Sequence, residues 1–168
     1  MNATLSPLIV QIQQANLPNA ASISQVMPIG LDVGNGAVKL YSSMSQTCME
    51  SYVHYLSERA THAYLGYVEY LSGDRPDLAG KQWIGGLNAY FQSPTGVYRV
   101  TDSNDGKADL CLQLRLSALT SLPYRPDWTL NVCASVHDGK VFGKAIRSAL
   151  EGVHTKLKKG SDKCDSEF

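Results

Sequence analysis

The stretch Pro28-Ile-Gly-Leu-Asp-Val-Gly-Asn-Gly-Ala-Val-Lys-Leu-Tyr41 leaves this chain little choice of local structure. Ile29, Leu31 and Val33 alternate with Gly30, Asp32 and Gly34. A strand here puts three apolar side chains on one face, and two glycines and a carboxylate on the other. Gly34-Asn35-Gly36 reads as a turn, because Gly and Asn accept positive φ at little cost. On the return, Val38 and Leu40 face the core and Lys39 projects the other way. Asp32 and Lys39 therefore flank a bend whose main-chain amides no side chain shields. Successive bare amides form a concavity suited to an anion. A phosphate chain suits it, with Lys39 on the phosphates and Asp32 on the accompanying cation. An ordinary structural hairpin satisfies the same pattern, since an Asn-Gly turn needs its glycines and Asp is common beside one. The residues alone leave both readings open.

Composition narrows the field. A chain of 168 residues with 43% apolar side chains can bury one core, so one domain of about 130 ordered residues plus tails is expected. Lys plus Arg equals Asp plus Glu, 15 each, which argues against a dedicated nucleic-acid surface. No apolar run reaches the length of a membrane span, so no membrane partner is expected. Cys48, Cys111, Cys133 and Cys164 lie far apart, without metal-site spacing. They read as buried or free thiols in a reducing, cytoplasmic compartment.

In chain order, residues 1–27 hold no charged side chain and lack the basic start of a secretory signal. They read as a flexible leader with a transient helix over Leu5–Leu17. After the hairpin, residues 47–57 look extended and are expected to pair beside it. Ala63–Tyr70 and Lys81–Gly85 read as further strands, Leu87–Phe91 as the start of a helix, and Pro94–Gly106 as a loop. Leu112, Leu116 and Leu119 fall at i, i+4 and i+7 and predict a helix over Lys107–Leu122, capped by Asn104 or Asp105. Asp127–Val136 reads as a strand and Gly139–Leu150 as an amphipathic helix ended by Gly152. Val153–Leu157 reads as a last strand, and residues 158–168 as a polar tail. Helix and strand alternating after an antiparallel hairpin predict a mixed sheet with parallel strands and crossover helices. None of His54, His62, His137 and His154 has a partner at metal or triad spacing. The tyrosines of Tyr64–Tyr70 have too few basic neighbours for a base-stacking platform.

Against this background the block Ile29–Lys39 resembles the first phosphate-binding segment of the actin-like ATPases, a superfamily that includes DnaK-type chaperones and sugar kinases. Asp-x-Gly, a second glycine and then Lys look most like the ParM-type plasmid-segregation and archaeal actin-like branch. Chaperones and sugar kinases usually carry Thr or Ser where this chain has Asn35. Four further stretches are similar to that branch in the same order: Glu50–Leu56, Trp83-Ile-Gly85 followed by Ala89, Leu130–Val136 with His137-Asp138, and Leu150-Glu-Gly-Val-His154. Together they span about residues 28–157. The resemblance implies a ribonuclease H-like (actin-like) α/β domain over residues 28–157, with ATP and Mg as cofactors. Asp32 would hold Mg²⁺ through water. The amides near Gly34, Asn35 and Gly36 would wrap the β-phosphate, and Lys39 would pair with phosphate oxygens as a point charge.

The resemblance also has a missing part. Family members clamp nucleotide between two related halves, and no second Asp-x-Gly-Gly segment occurs before Phe168. The expectation is therefore a first half alone: a truncated or disrupted gene product, or one piece of a split protein. It would bind nucleotide weakly and hydrolyse it barely, because phosphoryl transfer needs charge stabilisation from several directions. The expected partners are nucleotide, filament subunits including a second copy, and an adaptor protein. A non-enzymatic module that binds filament subunits is the alternative. A sugar-kinase-like half-domain and an unrelated α/β domain with an ornamental hairpin complete the set.

Overall fold

The computed structural model describes residues 8–13, 26–58, 60, 64–123, 127–136 and 138–157. In chain order these form β1 (Leu8–Gln13), β2 (Val26–Val33), β3 (Ala37–Ser42), β4 (Gln46–Glu50), β5 (Tyr52–Leu56), β6 (Tyr67–Gly73), β7 (Gln82–Gly85), α1 (Leu87–Gln92), β8 (Tyr98–Arg99), α2 (Gly106–Ala118), β9 (Asp127–Ser135), α3 (Gly139–Leu150) and β10 (Gly152–Leu157). The strands join in the order β4-β3-β2-β9-β1-β10-β6-β7-β5-β8. β2 and β3 form an antiparallel hairpin, and β2 runs parallel to β9. The class expected from the sequence, a mixed sheet with an antiparallel hairpin, parallel strands and helices, is the class observed.

β4 and β5 are separated by a single residue, Ser51, yet stand first and ninth in the strand order. The sheet therefore curls until its two ends meet at Ser51, and α2 packs against strands from both ends. Every residue from Leu110 to Thr120 is buried. Its leucines join Ile29, Leu31, Val33, Val38 and Leu40 of the hairpin, and Ile146 and Leu150 of α3, in one core. A helix buried all round must give its polar side chains internal partners. Gln113 Nε2 donates to the Tyr55 hydroxyl at 2.7 Å. Trp83 Nε1 donates to both the Gln113 carbonyl and Ser117 Oγ, each at 3.2 Å. Arg115 Nη1 donates to the Leu150 carbonyl at 3.1 Å, at the C-terminal end of α3, where the helix dipole favours a cation. Its Nε and Nη2 have no hydrogen-bond partner. Burial lowers the guanidinium pKa to about 10, so it stays charged at neutral pH.

The structure departs from the sequence reading at several points. Leu8–Gln13 is a strand, not a helix; it fills the slot between β9 and β10, antiparallel to the first and parallel to the second. β10 consequently runs against β9 rather than with it. β2 begins at Val26, before Pro28. The extended run 47–57 is two strands broken at Ser51, and only β4 pairs beside the hairpin, while β5 pairs with β7 and β8. The loop at 94–106 holds the short strand β8. α2 starts after Asp105, whose side chain makes no capping bond. Gly152 does not cap α3: Glu151 takes that position, and Gly152 opens β10 with φ +121°. The remainder of the 1–27 leader, residues 61–63 and the 158–168 tail lie outside the described residues.

Candidate functional site

The hairpin places Asp32 directly opposite Lys39. Ile29, Leu31, Val33, Val38 and Leu40 are all buried, which forces both charged side chains onto the outer face. Lys39 Nζ lies 3.7 Å from Asp32 Oδ2, with side chains 45% and 39% exposed. A pair this open contributes under about 1 kcal/mol and is easily parted by a stronger ligand.

The Gly34–Gly36 bend differs in one respect from its sequence-based rationale. Neither glycine has a positive φ. Gly34 is required instead by close approach: its amide donates to the Ala37 carbonyl at 3.0 Å, and a Cβ there would sit 2.7 Å from that oxygen. The Gly34 amide is thus consumed inside the turn. Asn35 and Gly36 are exposed, and their amides donate no hydrogen bond within the described residues. A Cβ on Gly36 would meet nothing within 4 Å, so the outer side of the bend is open.

The sequence reading gave no role to Ser51. It is fully buried. Its Oγ donates to the Gly34 carbonyl at 2.8 Å, and its amide donates to the Gly36 carbonyl at 3.1 Å. In a trans peptide the C=O and N–H point opposite ways. Holding the Gly34 carbonyl inward therefore turns the Asn35 N–H outward.

Topology points to the same place. β2 and β9 run parallel, so their carboxyl ends lie side by side at this bend. From β2 the chain leaves toward β3 and β4. From β9, whose Ser135 pairs with Asp32, it leaves through α3 toward β10. The 34–36 bend stands at that divergence. At the start of α3, Asp138 Oδ1 accepts from Lys140 N at 3.1 Å and Val141 N at 3.2 Å and so satisfies the second and third amides of that helix. Within the bend itself, the free donors among the described residues are the amides of Asn35 and Gly36.

Other candidates lead elsewhere. His54 Nδ1 lies 3.0 Å from the Gly96 carbonyl, and His154 is buried against Tyr70; His62 and His137 lie outside the described residues. Cys48 and Cys133 are exposed free thiols, and burial pushes the Cys111 thiol up to about 12. Among the described residues no three His, Cys, Asp or Glu side chains cluster for a metal. Tyr67 and Tyr70 are buried, so they offer no face to a base. Among the described residues no helix is long and apolar enough to cross a membrane. A cavity of about 200 Å³ beside Glu50 is lined in part by Thr47 and Ser121, whose hydroxyls are spent on each other at 2.5 Å.

No protein-family model and no curated protein matches this chain. Its fold is similar to that of ParM from Bacillus thuringiensis with ADP: TM-score 0.50, 13% identity, over 79% of this chain and 42% of that one. ParM of the same organism with ATP gives a TM-score of 0.49 at 13% identity, over 79% and 42% of the two chains. The apo psk41 ParM protein gives 0.48 at 13%, over 79% and 49%. The chain therefore has a fold similar to about half of that ADP-bound ParM, and it spans about half the length of the solved proteins it matches or less.

Proposed function

We propose that the chain binds the phosphate tail of ATP with Mg²⁺ at the β2–β3 bend. Residues 28–157 would act as the nucleotide-side unit of an actin-like protein with a cytoplasmic, filament-based role in plasmid segregation. The observation that carries this reading is the outward, unpaired amide of Asn35, beside an exposed Gly36 whose amide likewise donates no hydrogen bond among the described residues, at the carboxyl ends of the parallel strands β2 and β9. Lys39 leaves Asp32 for the phosphates, and Asp32 turns to a hydrated Mg²⁺, which keeps most of its water. The fold it shares with a ParM solved with ADP supports the choice of a nucleotide. One wall of a clamp gives weak binding and little hydrolysis, because charge is stabilised from one side only.

Calorimetric titration tests this. Mg-ATP and Mg-pyrophosphate are expected to bind in the high-micromolar to millimolar range, and adenosine not at all. Lys39→Ala is expected to weaken both about tenfold, the value of one charge-assisted contact. Asp32→Ala is expected to abolish the dependence on Mg²⁺. Equal binding of adenosine and Mg-ATP would overturn the reading.

A non-enzymatic module that docks on filament subunits or an adaptor is favoured by a different observation. Leu65, Leu87, Tyr90, Phe91 and Tyr98 are all exposed on and around α1, an apolar display of the kind that marks interaction surfaces. The same titration separates the two, since such a module is indifferent to Mg-ATP.

A further inference from the structure

The geometry points to Ser51 as the positioning residue of the phosphate loop, an inference that rests on the function proposed above. It occupies the one-residue joint between β4 and β5, where the two ends of the curled sheet meet. From there it holds two carbonyls of a three-residue bend, one through its side chain and one through its amide. An unrestrained Gly-Asn-Gly bend can rotate its peptide planes at little steric cost. Each rotation exchanges an outward N–H for an outward C=O, and so turns an anion site into an anion-repelling one. Ser51 blocks that exchange at the Gly34–Asn35 peptide through Oγ, and at the Gly36–Ala37 peptide through its amide. Its burial excludes the water that would otherwise compete for the Gly34 carbonyl. The bend thus keeps the Asn35 donor outward, with the peptides on both sides of Asn35–Gly36 fixed before any ligand arrives, and binding is spared that part of the ordering cost.

Ser51→Ala removes the side-chain bond and nearly preserves volume. Ser121→Ala is the control: it deletes a hydroxyl of the same size that bonds to the Ala118 carbonyl and Thr47 and has no contact with the bend. Two readouts are taken on each ¹⁵N-labelled protein: the heteronuclear NOE at Asn35 and Gly36 without ligand, and the affinity for Mg-pyrophosphate. Ser51→Ala is expected to lower the NOE at both residues and to weaken binding about fivefold, the equivalent of one neutral hydrogen bond. Ser121→Ala is expected to change neither. Unchanged NOE values in Ser51→Ala, or equal losses in both variants, would overturn the assignment. Should the wild-type chain fail to bind Mg-pyrophosphate, the function proposed above falls, and the NOE comparison still decides whether Ser51 orders the bend.

Discussion

Trp83→Ala is expected to lower the folding free energy by about 3–5 kcal/mol, the usual cost of emptying a fully buried tryptophan site. Trp83 is wholly buried. It stacks on Tyr70 with ring centroids 6.4 Å apart and meets Tyr55 edge-on at 6.1 Å. Its Nε1 also bridges the Gln113 carbonyl and Ser117 Oγ of α2. The ring thus joins the wrapped helix to β7 and, through Tyr70 and Tyr55, to β6 and β5. Losing it opens a cavity and removes the indole donor from two acceptors on α2. Trp83→Phe keeps most of the packing and strips only the donor, for about 1–3 kcal/mol. Urea unfolding followed by far-ultraviolet circular dichroism measures both. Since domains of this size are stable by only about 5–15 kcal/mol, the alanine variant is expected to populate unfolded chain at physiological temperature. A loss below about 1 kcal/mol would contradict the wrapped-helix core.

The second large effect is acid sensitivity at His154. Its ring lies buried between β10 and β6, with Nδ1 2.9 Å from the Tyr70 hydroxyl and no partner at Nε2. Burial, and then the charge of Arg115, lower its pKa from 6.5 to about 4; the Leu150 backbone and then Asp74 act the other way. The unfolded chain therefore binds this proton more readily than the folded one. The stabilisation is complete above pH 6.5, falls away as the pH drops through the window from 6.5 to about 4, and does not change further below it. The gap between the two values corresponds to about 3 kcal/mol at 1.36 kcal/mol per unit. Chemical unfolding at pH 7, 5.5 and 4 is expected to show that loss beyond the loss in His154→Gln, which cannot titrate. Arg115→Met removes the repelling cation, so it should raise the His154 pKa and shrink the loss. It should also stabilise the fold at pH 7, because an unpaired buried charge is replaced by a side chain that packs. Parallel pH profiles for wild type and His154→Gln would contradict the assignment.

What could be read in advance from the residues follows the range of the interactions involved. The β2–β3 hairpin was legible because one buried face imposes strict alternation, and Ile29 to Leu40 obey it. α2 was legible through Leu112, Leu116 and Leu119, although Leu110, Leu112, Leu114 and Leu116 also alternate as a strand would. Its burial on every side was not legible, since it depends on a sheet in which β4 and β5 meet with seven strands between them in order. Leu8–Gln13 looked helical because nothing local reveals the slot between β9 and β10 that claims it. At the candidate site the sequence marked Asp32, Gly34, Asn35, Gly36 and Lys39, all of which the structure gathers at one bend. It assigned Gly34 the wrong reason, a positive φ in place of a close carbonyl. It missed Ser51, whose contacts span 15 and 17 residues and exist only because β4 breaks into β5 there. A lone Ser between Glu50 and Tyr52 carries no sign of that.

The most direct test of the claim that main-chain donors at this bend receive a phosphate tail is amide chemical-shift mapping of the ¹⁵N-labelled chain during titration with Mg-ATP. The account predicts that the largest shifts fall at Asn35 and Gly36, saturate, recur with Mg-pyrophosphate, and lose their Mg²⁺ dependence in Asp32→Ala. Resonances of Asn35 and Gly36 that stay in place at millimolar Mg-ATP, or shifts centred on another part of the fold, would contradict it.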